Sequence, residues 1–147
     1  MKITQVATLV SLCSISRAFL PVPIPCAYSL SGSLLEDPIM GWSWSGQLQE
    51  NDPGSYQAML VCGQGVEDGV GNRDDDGTWH LPCNNGYSLT LTNNGAHAIV
   101  INGGRTDEWD TSAKADEFDC YGACEDRKGV CLQCTQYEFT SEHLCVL

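Results

Sequence analysis

The cysteines constrain this chain more than any other feature. There are nine in 147 residues, and one of them, Cys13, lies in an apolar N-terminal stretch unlike the rest of the sequence. The other eight are Cys26, Cys62, Cys83, Cys120, Cys124, Cys131, Cys134 and Cys145. An even set of this kind closes as four disulfides in an oxidising compartment, each adding about 2–4 kcal/mol by restricting the unfolded chain. Spacing alone does not choose among the many pairings that eight cysteines allow.

The N-terminus supports the same compartment independently. Met1-Lys2 gives a short basic start, Ile3 to Ile15 is mostly apolar or small, and Ser16 and Ala18 stand at the −3 and −1 positions of a cleavage site before Phe19. Residues 1–18 therefore read as a secretory signal, and 19–147 as a single disulfide-rich domain. The apolar run is shorter and more broken than the roughly 20 residues a membrane crossing needs.

Charge narrows the partners. The chain carries 19 acidic and 7 basic residues, a formal net charge of −12 that removal of Lys2 and Arg17 with the signal would deepen to −14. Phosphate backbones and anionic lipid surfaces are bound through clustered Lys and Arg. Neither nucleic acid nor membrane is expected as a partner. A hydrophobic content of 42% is enough for a folded core.

The hydrophobic pattern is that of strands. Met40, Trp42, Trp44 and Leu48 alternate with Ser43, Ser45, Gln47 and Gln49, and a turn at Asn51-Asp52-Pro53-Gly54 leads to a second strand over 55–62. Tyr87, Leu89 and Leu91 alternate with Ser88, Thr90 and Thr92 before Asn93-Asn94-Gly95. A three-residue loop there places Leu89 opposite Ile99 and Tyr87 opposite Ile101, with His97 on that apolar face. Further strands are expected over 26–35 and 130–140. Residues 63–86 read as a long surface loop interrupted at 78–81, and 110–124 as the one helix, capped by Asp110, Thr111 or Ser112. Together these give a mainly β domain of six or so strands, an antiparallel sandwich or partly open barrel with one short helix; an α+β fold is the alternative.

Few residues point to chemistry. Asn72, Asp74 and Asp76 stand at positions 1, 3 and 5 of a calcium-type loop with Gly77 at 6, but Cys83 occupies the position of the closing Glu. An acidic turn is the expectation and calcium the alternative cofactor, with Glu67 and Asp68 able to add oxygens. Cys120, Cys124, Cys131 and Cys134, with His143 near, have zinc-like spacing, which the secretory context turns into disulfides. Cys131-x2-Cys134 lacks the strand–motif–helix setting of a thiol oxidoreductase. His80, His97 and His143 invite an acid–base reading, but no spacing marks a Glu, His and Arg set of the guanyl-specific nuclease kind. Trp42 and Trp44 share a face with Met40 and Leu48, which is core patterning more than a sugar platform.

A signal ending near Ala18, a mature chain of 129 residues, eight cysteines and a β-rich pattern together resemble the small secreted, cysteine-rich, effector-like proteins of filamentous fungi. That resemblance covers the whole chain but carries no site residues. It implies a secreted protein that binds a host or microbial protein, or a glycan, outside the producing cell and without catalysis; a monomer is assumed. The alternatives are a small secreted hydrolase or nuclease-like enzyme using His97, and a calcium-dependent or carbohydrate-binding module.

Overall fold

The computed structural model describes residues 26–52, 57–66, 71–84, 86–121 and 131–145. They form ten strands: β1 (Ala27–Asp37), β2 (Gly41–Asp52), β3 (Gln57–Gly63), β4 (Asn72–Arg73), β5 (Trp79–Leu81), β6 (Tyr87–Thr92), β7 (His97–Asn102), β8 (Arg105–Asp110), β9 (Lys114–Tyr121) and β10 (Leu132–Leu144). Two five-stranded antiparallel sheets result, one ordered β3-β2-β1-β10-β9 and the other β4-β5-β6-β7-β8. The fold is a mainly β sandwich, as the alternation implies. Among the described residues there is no α-helix, only a 3-10 turn at Asn93–Gly95. Residues 1–25, with the signal read at 1–18, and Pro53 and Gly54 of the expected turn lie outside the described residues, while Asn51 and Asp52 are the last residues of β2.

The core is where the in-facing positions of the two sheets meet. Tyr28, Leu30, Leu34, Leu48, Val61 and Phe139 of the first sheet are buried with Leu89, Leu91, Ala98, Val100 and Trp109 of the second. Each fully buried Leu contributes about 1.5–3 kcal/mol of transfer free energy. Trp42 and Trp44 pack against this core. Trp42 stacks on Tyr137 at 5.9 Å, meets Trp79 edge-on at 6.4 Å, and carries the Arg73 guanidinium 4.3 Å above its ring. At mid-strand, Gly32 and Gly46 lie opposite each other. A Cβ on Gly32 would come within 2.5 Å of the Ser45 carbonyl oxygen, so the two strands approach there as only glycine allows.

Disulfides tie the sheets at their margins. Cys26–Cys145 joins the start of β1 to the end of β10, Cys120–Cys134 links β9 to β10, and Cys62–Cys83 connects β3 to the segment after β5. Beside that last bridge, Gly63 N–H donates to the Pro82 carbonyl and Asn84 N–H to the Val61 carbonyl, each at 2.8 Å, so the second bridge sits in a short ladder between the two sheets. Cys131 is also disulfide-bonded, and Cys124 lies outside the described residues.

Three local expectations are corrected. Met40 does not share the in-facing row of Trp42, Trp44 and Leu48, because it lies in the turn before β2 and is 80% exposed. Residues 110–121 are not helical: β8 ends at Asp110 and β9 begins at Lys114. Lys114, Asp116, Glu117 and Asp119 tolerate a helix, but pairing with β10 overrides local preference. Their charges suit the edge of a sheet, where they oppose further strand addition. The hairpin register is also shifted by one residue. Leu89 faces Val100, Thr90 faces Ile99 and Thr92 faces His97. Residues 93–96 form the loop, with Asn93, Asn94 and Gly95 at φ 51, 54 and 85°. A Cβ on Gly95 would lie 2.6 Å from the Phe139 ring, so the turn is seated against the opposite sheet. That shift turns Ala98 and Val100 into the core and leaves His97, Ile99 and Ile101 on the outer face.

Candidate functional site

The ionisable groups that the fold gathers lie at one end of the interior. In the first sheet, Glu50, Tyr28 and His143 are neighbours in one cross-strand row over β2, β1 and β10. In the second, Tyr87, Asn102 and Arg105 form the corresponding row over β6, β7 and β8. Glu50 is 7% exposed and Asp107 1%. Charges this deep persist only when paired.

Arg105 is the centre of the pairing. Its Nη2 donates to the Tyr28 hydroxyl at 2.6 Å and to Glu50 Oε1 at 3.2 Å, and its Nε donates to Asp107 Oδ2 at 2.8 Å. Tyr87 donates its hydroxyl to the other Glu50 oxygen. Burial, then the hydrogen bond to that carboxylate, pushes the Tyr87 phenol up to about 12. Burial also raises Tyr28, against the opposing hydrogen bond from Arg105. For Arg105 itself burial acts to lower the pKa, but the hydrogen bonds to Tyr28 and Glu50 hold the guanidinium above its ordinary value.

The imidazole of His143 completes a stack. It lies 4.4 Å from Trp109, whose other neighbour Tyr28 is at 5.7 Å, all three rings being nearly parallel. Trp109 Nε1 donates to Ser141 Oγ at 2.8 Å. His143 Nε2 is 3.7 Å from Asp107 Oδ1, an ion-pair separation too long for a hydrogen bond.

Cys26, Glu50 and Cys145 are the only three His, Cys, Asp or Glu residues among the described residues whose ligand atoms lie within 4.8 Å of one another. Both sulfurs are spent in the disulfide and offer no thiolate, so the trio does not fit a metal. The 2.8 Å approach of Cys26 Sγ to Glu50 Oε1 is likewise a contact and not a hydrogen bond, since that sulfur has no proton to donate.

The residues singled out in the sequence lie elsewhere. Asn72, Asp74 and Asp76 belong to the β4–β5 hairpin. Asp74 Oδ2 faces His80 Nε2 at 2.9 Å, and Asp76 Oδ1 accepts from the Thr78 amide at 2.9 Å. Among the described residues their oxygens close the turn and do not converge with a third acid, and Glu67 and Asp68 lie outside the described residues. His97, on the outer face of the second sheet, pairs with Asp110 at 2.8 Å and Glu108 at 3.1 Å. The bond to Asp110 raises its pKa, against a smaller opposing effect of burial. Cys134 bonds to Cys120, so Cys131-x2-Cys134 is not a paired dithiol. No helix among the described residues is long and apolar enough to cross a membrane.

Sequence reasoning missed Glu50, Arg105 and Asp107, although a signal was present. Glu50 continues the in-facing alternation of Trp42, Trp44 and Leu48, and Arg105, Asp107 and Trp109 alternate in the same way. A charge at a core position of a period-two strand marks a buried partner.

The outer surface of the first sheet holds a different feature, an open groove of about 460 Å³ lined by Ser31, Ser33, Lys114, Gln136, Glu138 and Thr140 among others. Comparison with protein-family models, curated proteins and solved structures finds no match for this chain.

Proposed function

We propose that this chain is a secreted, disulfide-stabilised binding protein, effector-like in character, that acts outside the producing cell on a protein or glycan and without catalysis. The observation that carries this reading is the inward commitment of the ionisable groups. Glu50 is held by Arg105 and Tyr87, and Asp107 by Arg105, all between the sheets. A general acid or base needs a proton-transfer path to a substrate within about 3 Å, whereas these groups are packed against one another. The half-buried His97 is held by two carboxylates on its own sheet. Three disulfides in so small a domain, with the apolar segment at 1–18, suit an extracellular medium.

The test is a turnover screen of the secreted protein against RNA, a protein substrate, an aryl ester and neutral polysaccharides, with His97→Ala alongside. No turnover above the blank in either protein is expected. Turnover by the parent chain that His97→Ala abolishes, with the fold intact, would replace the binding reading with a hydrolase.

A further inference from the structure

We infer that the outer face of the β3-β2-β1-β10-β9 sheet carries a binding trough for a neutral oligosaccharide; this deepens the non-catalytic binding reading above and rests on it. The trough follows from register. Ser33 lies opposite Ser45 on β2 and Glu138 on β10, and Glu138 lies opposite Lys114 on β9, so one row of side chains crosses four strands. Ser31 opposite Thr140 adds a second pair on the same face. At a strand spacing of about 4.8 Å the row is about 14 Å long.

The middle of the row is made of short side chains, Ser31 and Ser33 beside Gly32, while Lys114, Gln136 and Glu138 stand on the β9–β10 side. That difference in height makes the concavity of about 460 Å³, within the range of small-ligand sites. A second hollow of about 180 Å³ adjoins it, sharing Ser33 and Gln136 and reaching Ser43, Ser45 and Trp44. The two meet at Ser33 and Gln136, so a ligand that fills both is extended.

Chemistry selects the ligand. The lining offers hydroxyl, amide, carboxylate and ammonium groups on rigid strands, both donors and acceptors. Internal bonds occupy only part of that capacity: Ser33 Oγ meets Ser45 Oγ at 3.1 Å, and Gln136 Nε2 donates to Glu138 Oε1 at 3.2 Å. The charges of Glu138 and Lys114 offset each other, and Lys114 is the only lysine among the described residues. A phosphorylated or sulfated ligand would require clustered cations, and the described residues of this face hold none. The lining's accessible surface is mostly carbon with these polar groups set in it, so a wholly apolar ligand would leave the Ser, Gln, Glu and Lys groups unpaired. A chain of pyranose rings meets both conditions. Its hydroxyls pair with the Ser, Gln and Glu groups, and its C–H faces suit the carbon surface between them.

The experiment titrates the oxidised, secreted protein with laminarihexaose, cellohexaose, chitohexaose and mannohexaose, followed by calorimetry and by backbone amide shifts. Saturable binding to at least one, at a dissociation constant of about 1 mM or tighter, is expected. The shifts should map to β1, β2 and β10. Gln136→Ala and the filling variant Ser33→Trp should each weaken it at least about tenfold, while His97→Ala on the other sheet leaves it unchanged. If Ser33→Trp does not fold, Gln136→Ala decides alone. No saturable binding to any of the four sugars, or binding that the groove variants leave intact, would overturn the trough without touching the absence of catalysis. New reducing ends released from a bound sugar would overturn both.

Discussion

Arg105 on β8 reaches across the sandwich to Glu50 on β2, with Nη2 3.2 Å from Oε1, so one ion pair bridges the two sheets from the inside. The same guanidinium holds Asp107, whose side chain is fully buried. Removing either partner therefore leaves charge stranded in the interior, an effect distinct from the loss of one surface pair.

That asymmetry gives the first prediction. Arg105→Ala, which uncovers both Glu50 and Asp107, should destabilise the fold by about 3–5 kcal/mol. Glu50→Gln keeps the shape and a hydrogen-bond acceptor and should cost less. Chemical denaturation of the three proteins checks the order. Equal stabilities would mean that the cluster contributes no more than an exposed pair.

Disulfide loss should follow loop length. The sequence separations are 119 for Cys26–Cys145, 21 for Cys62–Cys83 and 14 for Cys120–Cys134. Chain-entropy estimates are about 5 kcal/mol for the first and about 3 kcal/mol for each of the others. Double Cys→Ser variants made one bridge at a time should rank accordingly in thermal melting. A Cys26/Cys145 variant that melts no lower than the Cys120/Cys134 variant would contradict the ranking.

His97 sets a pH dependence near neutrality. Its folded pKa is raised above the unfolded value, first through the hydrogen bond to Asp110. The stability it contributes is therefore fully present below about pH 6.5 and is lost as pH rises through the folded value. An imidazole NMR titration should place the His97 midpoint above the ordinary histidine value, and Asp110→Asn should bring it down. A midpoint unmoved by Asp110→Asn would contradict the pairing.

A second pH effect belongs to alkaline solution. Tyr87 is pushed up to about 12, and Tyr28 and Tyr137 are raised chiefly by burial. The neutral phenols favour the folded state below about pH 10, and that stabilisation fades as pH rises through the folded values. Phenolate absorbance should appear later in the folded protein than in urea. Glu50→Gln, which removes the carboxylate beside Tyr87, should bring part of it back. Coincident titration curves for folded and unfolded protein would rule out the buried Tyr87–Glu50 contact.

How much of this was legible in the sequence divides along physical lines. Alternation at 42–49 and 87–92 marked true strands and their faces, because a half-buried strand needs period two, whereas Met40 falls in the turn before β2. Hairpin register was not legible, since the loop length was decided by Gly95 seating against Phe139, a contact between sheets. The composition of 110–121 suited a helix, and only the partner β10 makes it a strand. The buried cluster escaped because Glu50 and Arg105 are 55 residues apart, and neither carries a local motif. The groove needed the pairing of β1 with β10, which joins the two ends of the described chain.

The oxidised state of the sandwich, on which the proposed extracellular role rests, is read from the intact mass and disulfide map of the protein recovered from the culture medium. A chain beginning at Phe19 is expected, lighter than its reduced form by about eight hydrogens, the count of four bridges. The peptides should show Cys26 joined to Cys145, Cys62 to Cys83 and Cys120 to Cys134. Free thiols, a retained N-terminal segment, or a bridge between Cys131 and Cys134 would contradict it.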